Sequence, residues 1–252
     1  MLTHHWKAEA LLEGDWRGAS CVLLTNGCEP LLVDTGMPHD AHRLLAALAQ
    51  RGFEPSDIRI IINTHFHLDH VSNNCLFPRS AIYATQESYD WCHALYADLV
   101  DAVNWKTRVL KYYPEMGEYP EIEHLMDGVR RVALRWWDSS RSGLASQFRW
   151  IERHALPDGI AAVVTHGHVP GHVSLLTQDS DGTTVVAGDA LLTRTHDDQV
   201  LTMIPRWRAE YLAGRQKILS IAGRIIPGHD RAFINVPADE PSAVPLGKPA
   251  KL

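Results

Sequence analysis

The stretch Thr64-His65-Phe66-His67-Leu68-Asp69-His70 places three imidazoles and one carboxylate within six residues, just after the β-branched run Ile58 to Ile62. On a helix, His65 and His67 would stand about 200° apart. On a strand, residues 65, 67 and 69 would share a face, but His70 would point away from it. A loop at the carboxyl end of a strand can gather all four groups around a central object. Imidazole and carboxylate are the ligand types that zinc and neighbouring transition metals prefer. The stretch therefore predicts a buried strand that ends in a metal-binding loop.

Working outward, Ser20 to Thr25 and Pro30 to Asp34 read as strands separated by Asn26-Gly27, a hairpin signal. A helix is expected over Asp40 to Gln50, with Gly52 just past its end as a C-cap. Strand, helix and strand in that order imply a layered α/β arrangement. The second half repeats the grammar. Ile160 to Thr165, Val173 to Thr177 and Thr183 to Ala187 are short apolar runs, the last two joined by Asp181-Gly182. A helix over 210–222 and a strand over Arg224 to Pro227 follow.

Ligand-type residues recur where these strands end. Thr165-His166-Gly167-His168-Val169-Pro170-Gly171-His172, then Gly188-Asp189, then Pro227-Gly228-His229-Asp230 each set His or Asp beside glycine. Glycine lets a backbone turn tightly or approach another group closely. Together these clusters predict a metal site along one sheet edge.

The remaining composition narrows the class. The chain has 252 residues, 45% apolar and 21% charged, which excludes a disordered chain, a collagen-like fibre and a coiled coil. No stretch nears the 18 or so apolar residues of a membrane span. The formal net charge of −6 lacks the basic field of a nucleic-acid binder, so neither nucleic acid nor membrane is an expected partner. The four cysteines form no C-x-x-C pair, and the N-terminus shows no secretory pattern; buried reduced thiols in a cytoplasmic protein are expected. Residues 85–155 carry five of the eight tryptophans and suggest a helical, aromatic-rich cap inserted into a single domain over 1–237, with 238–252 a loose tail.

In order, the motifs His-x-His-x-Asp-His, Gly-His-x-Pro-Gly-His, Gly-Asp and Pro-Gly-His resemble the metallo-β-lactamase superfamily, and Asp34-Thr35-Gly36 matches its early Asp-Thr-Gly. The resemblance covers about residues 20–80 and 160–235 and leaves the middle segment out. It implies an α/β fold, a four-layer αβ/βα sandwich of two mixed β-sheets with outer helices. It also implies one metal held by His65, His67 and His168 and a second held by Asp69, His70 and His229, with Asp189 bridging them. Asp34 would orient a ligand imidazole, and His172 would support the site without ligating. His166 stands where many relatives carry proline; His168 is the preferred ligand because it precedes x-Pro-Gly-His.

Seven such ligands imply two Zn2+ per chain, with Mn2+ or Fe2+ as substitutes. The expected function is a hydrolase in which a hydroxide shared by the metals, oriented by Asp69, attacks the carbonyl of a small ester, lactone or thioester. No Gly-x-Ser-x-Gly elbow offers a rival nucleophile. The alternatives are a mononuclear-iron protein resembling a sulfur dioxygenase and a β-lactam-hydrolysing enzyme. Leu192 stands where many acyl-homoserine lactonases carry tyrosine, and Leu68-Asp69 where RNA-processing relatives carry Gly-Asp. A small hydrophobic or cyclic substrate is expected, with Phe66, Trp136, Trp137, Trp150 and Leu192 on its pocket. The aromatic segment can also serve a homodimer.

Overall fold

Alternation along the short strands sets the layers. In β2 (Cys21–Thr25), Val22 and Leu24 face one way while Cys21 and Leu23 face the other. The same split separates Leu31 and Val33 from Leu32 in β3 (Pro30–Val33), and Ile62 from Ile61 in β4 (Ile60–Ile62). A strand with both faces apolar must be covered on both sides. The computed structural model describes residues 5–101, 103–114, 120–136, 144–195, 207–221 and 223–236, without the side chains of 120–122 and 136.

Two mixed sheets result. The first has the order β1 (Lys7–Leu12), β2, β3, β4, β5 (Ala81–Ala84), β6 (Phe148–Trp150), antiparallel up to β3 and parallel beyond it. The second has the order β11 (Phe233–Asn235), β10 (Gly223–Pro227), β9 (Gly182–Gly188), β8 (Val173–Asp179), β7 (Ala161–Val164). Val22, Leu24, Val33 and Ile62 of the first sheet pack against Leu175, Val186 and Ile226 of the second. Helix α1 (Ala41–Ala49) covers the outer face of the first sheet through Leu44 and Leu48. Ile218 of α6 (Arg208–Leu219) covers Val185 and Ile225 on the outer face of the second. The fold is the expected four-layer α/β sandwich.

Three further helices leave from the end of β5: α3 (Gln86–Val100), α4 (Trp105–Val109) and α5 (Pro120–Trp136). Thr85 caps α3 by accepting from the Ser88 amide at 3.3 Å. Leu95, Tyr96 and Leu99 of α3, Trp105 and Val109 of α4, and Met126 and Ala133 of α5 bury one another beside Phe66, Leu68 and Val169.

Several expectations need correction. The segment 85–155 is not helical throughout, because Phe148–Trp150 pairs with β5 as an edge strand of the first sheet. Strands β1, β5, β6 and β11 were not anticipated. Only Cys21 and Cys92 are buried, whereas Cys28 and Cys75 are exposed free thiols. No helix among the described residues is long and apolar enough to cross a membrane. The tail 238–252 lies outside the described residues.

Leu175 sits at the centre of the inter-sheet core, fully buried, while Val164 on the edge strand is 51% exposed. Leu175→Ala is expected to lower the unfolding free energy by about 2–5 kcal/mol in a urea titration. Val164→Ala should change it by no more than about 0.5 kcal/mol. Equal losses for both would contradict this packing.

Candidate metal centre

Each motif begins where a strand stops, and topology brings those ends together. β9 and β10 are parallel, and β7 runs the same way because β8 is antiparallel to both β7 and β9. The two sheets are pinned at this edge. The Val173 amide donates to the Thr64 carbonyl at 3.0 Å, and the Ser20 amide to the Gly228 carbonyl at 2.7 Å. His65 and His67 project from the loop after β4, while Asp69 and His70 come from the one-turn helix α2 (Leu68–Val71). The sequence run is therefore half loop and half helix.

Glycine is required at two points. Gly188 has φ +52°, and a Cβ there would lie 2.9 Å from His172 Nε2 and from Thr64. A Cβ on Gly228 would lie 2.0 Å from Asp189 Oδ1. Only a backbone without side chains lets the ends of β9 and β10 close around that carboxylate.

The convergence forms two groups of ligand-type atoms, His65, His67, His168 and Asp189 in one and Asp69, His70 and His229 in the other. In the first, His168 Nε2 lies 2.8 Å from His67 Nδ1 and 3.1 Å from Asp189 Oδ2. The three imidazoles stand edge to face with centroids 4.7 to 4.9 Å apart. In the second, His229 Nε2 lies 3.3 Å from Asp69 Oδ2, and His70 Nε2 lies 3.8 Å from it. Asp189 reaches both groups, with Oδ1 at 3.2 Å from His70 Nε2 and Oδ2 at 3.4 Å from His229 Nε2.

His65 Nε2, His70 Nε2 and Asp189 Oδ1 are buried without a hydrogen bond of acceptable geometry. Buried polar atoms are normally satisfied, and facing lone pairs repel. A divalent cation in each group resolves both problems, so these residues fit a pair of metals.

Hydrogen bonds behind the ligands fix their orientation. Asp34 Oδ2 accepts from His70 Nδ1 at 2.7 Å, and its Oδ1 from the Thr64 amide at 2.9 Å. Asp34 adopts φ +57°, an uncommon conformation for a residue other than glycine. The Thr35 amide, donating to the His70 carbonyl at 2.7 Å, helps to hold it there. His229 Nδ1 donates to the Asp15 carbonyl at 2.8 Å, and Tyr113 Oη lies 3.4 Å from His67 Nε2. His172 stays outside both groups. Its Nε2 accepts from the Asp189 amide at 3.0 Å, so Nδ1 carries the proton shared with Thr165 Oγ1 at 2.8 Å. His166 is exposed and turned away, its Nδ1 accepting from the Gly171 amide at 3.1 Å.

Burial pushes the His65 and His168 pKa values well below the ordinary value, His67 down to about 4 and His172 to about 3. Burial also acts against the charged forms of His70 and His229. There the carboxylates, Asp189 first, outweigh it and hold both pKa values well above normal. In turn His70 and His229 keep Asp69 and Asp189 ionised despite their desolvation.

A cavity of about 340 Å³ opens over these groups. His67, Asp69, His168, Asp189 and His229 form its floor, and Leu125, Met126, Val129 and Val132 of α5 form an apolar wall. Leu192, Tyr113 and Trp16, the last 85% exposed, also line it. The aromatic expectations fare differently. Phe66 and Trp150 do not line this cavity; Phe66 packs edge-on against Tyr89 and Phe148, and Trp150 stacks on Phe148 at 5.2 Å. Phe66 is buried in the core of the helical segment, and Trp150 is half-buried against that core. Trp136 ends α5 with its side chain outside the description, and Trp137 lies outside the described residues. The α5 wall was missed, although 125, 126, 129, 132 and 133 carry the spacing of one apolar helix face.

A family model described as the metallo-beta-lactamase superfamily matches residues 14–229. The metallo-beta-lactamase domain-containing protein 1 of Mus musculus is 28% identical over 206 residues, 81% of this chain and 60% of that protein. This chain thus spans less than two thirds of that relative. An N-acyl homoserine lactonase of Bacillus cereus is 24% identical over 206 residues, covering 71% of this chain and 67% of the lactonase. Among solved structures, AidC, described as a dizinc quorum-quenching lactonase, superposes with a TM-score of 0.54 at 19% identity, covering 90% of this chain and 85% of that one. That likeness speaks for the fold. The motifs, the architecture and the residues 14–229 match agree, and the chain belongs to the metallo-β-lactamase superfamily.

Proposed function

We propose that this chain hydrolyses an ester or lactone bond, with thioesters in the same reach, in a small molecule bearing an apolar or cyclic part. The observation that carries this reading is one buried carboxylate, Asp189, shared by two groups of ligand-type atoms on the floor of an apolar-walled cavity. The lactonase relative and the dizinc neighbour support it. His65, His67, His168 and Asp189 would hold one cation, and Asp69, His70, His229 and Asp189 the other. Zinc is favoured by the nitrogen-rich donor set. Such cations supply Lewis acidity at a carbonyl and acidify water toward neutrality.

The chain's own groups do the rest. His65, His67 and His168 stay neutral at pH 7, because burial depresses their pKa values, and so keep lone pairs for ligation. Asp69 is ionised and its side chain is 25% exposed, so it can accept a hydrogen bond from an attacking water. Asp34 fixes the His70 ring through Nδ1. The α5 wall would bind the apolar part of the substrate and exclude bulk water.

Metal analysis of the purified protein should find about two zinc ions per chain. Hydrolysis in a screen of esters, lactones, thioesters and β-lactams should vanish on chelation and return with zinc. One iron per chain, or hydrolysis indifferent to chelation, would sink the reading. Asp34→Asn keeps a residue tolerant of the left-handed conformation but replaces the carboxylate with an amide. It should weaken metal binding about 10- to 100-fold in chelator competition. Because the carboxylates raise the pKa values of His70 and His229, the cation-free protein holds protons there at pH 7. Zinc must displace them, so affinity should rise with pH, and calorimetry in buffers of different ionisation enthalpy should detect proton release. Uptake of protons would contradict that sign.

A further inference from the structure

Thr64 lies in the opening motif, yet the hydrolytic reading gives it no task. Its side chain is buried between the two ligand groups. Thr64 Oγ1 lies 2.7 Å from Asp34 Oδ2, 3.1 Å from His65 Nδ1 and 3.4 Å from His70 Nδ1. A hydroxyl has one proton to give and two lone pairs. At 2.7 Å the hydroxyl donates to the carboxylate oxygen, so the Thr64 proton goes to Asp34 Oδ2. What remains on Oγ1 is acceptor capacity, and His65 Nδ1 must then be the donor. This leaves His65 Nε2 unprotonated and facing the first group, where it is buried without a hydrogen bond. The Asp34 oxygen that receives the Thr64 proton also accepts from His70 Nδ1, in the second group.

We propose that Thr64 is a positioning residue for metal binding: its hydroxyl passes the orienting effect of Asp34 to His65, so that one carboxylate sets a ligand imidazole in each group. The proposal rests on the reading that these groups hold metals. Asp34 acts on His70 directly and on His65 only through Thr64. Loss of the hydroxyl should therefore be felt first at the cation bound by His65, His67, His168 and Asp189. A threonine that merely filled space would show no such selectivity, and its methyl group would matter as much as its hydroxyl.

The test is stepwise zinc affinity by chelator competition on wild type, Thr64→Val, Thr64→Ala and Thr64→Ser, with the fold of each checked by circular dichroism. Val and Ala remove the hydroxyl; Ser keeps it and removes the methyl group. One of the two stepwise constants should fall about 10- to 100-fold in Val and Ala, while Ser stays within about threefold of wild type. Should Val fail to fold, Ala against Ser carries the comparison. Affinities in Val or Ala equal to wild type overturn the proposal, as does Ser binding as weakly as Ala, or both constants falling equally. If wild type itself binds no metal, the hydrolase reading fails first, and that outcome is distinct from two tightly bound zinc ions indifferent to the hydroxyl.

Discussion

A carboxylate buried among imidazoles is the constraint on which the rest of the structure depends. Asp189 is almost wholly inaccessible, and its Oδ1 has no hydrogen bond of good geometry. Burying a charge is costly unless opposite charge is arranged around it. Here that charge comes from His70 and His229 in the cation-free chain, and metals would replace it. Access to the carboxylate requires β9 and β10 to lie side by side and to end in glycine. Hence Gly188 and Gly228 sit where any Cβ would strike the site.

Around that carboxylate the histidines fall into two electrostatic classes. His65, His67 and His168 are kept neutral by burial, whereas His70 and His229 are charged by the acids that face them. In the cation-free chain, chemically identical side chains a few residues apart thus have pKa values shifted in opposite directions, by burial in one class and by facing carboxylates in the other. The unfavourable conformation of Asp34 belongs to the same arrangement. Its φ of +57° aims one carboxylate at the Thr64 amide, the Thr64 hydroxyl and His70 together. Strain of this kind persists where the surroundings over-determine it.

The helical segment between β5 and β6 has a different logic. Its core of Leu95, Leu99, Trp105, Val109 and Ala133 is continuous with Phe66 and Leu68, the residues interleaved with the metal-binding motif. The motif is therefore packed from behind by the helices that also wall the cavity. Tyr113, just past α4, carries this contact to the His67 ring. The cavity wall and the ligand-type residues thus share one set of packed side chains.

The sequence by itself determined the layering, because the unbroken apolar runs of β2, β3 and β4 demand cover on both faces. It also identified the ligand-type residues, because His and Asp beside glycine at strand ends carry a chemical signature that needs no partner to be read. Only the tertiary structure showed that His166 turns outward to accept from the Gly171 amide, and that Thr64 reaches Asp34 thirty positions earlier in the chain. It alone placed a backbone carbonyl, Asp15, behind His229, since a carbonyl acceptor has no residue type to betray it. It buried Phe66 in the core, packed a half-buried Trp150 against it and put α5 over the cavity. Composition records that an aromatic is apolar, but whether it faces a substrate or another ring depends on what the chain packs against it.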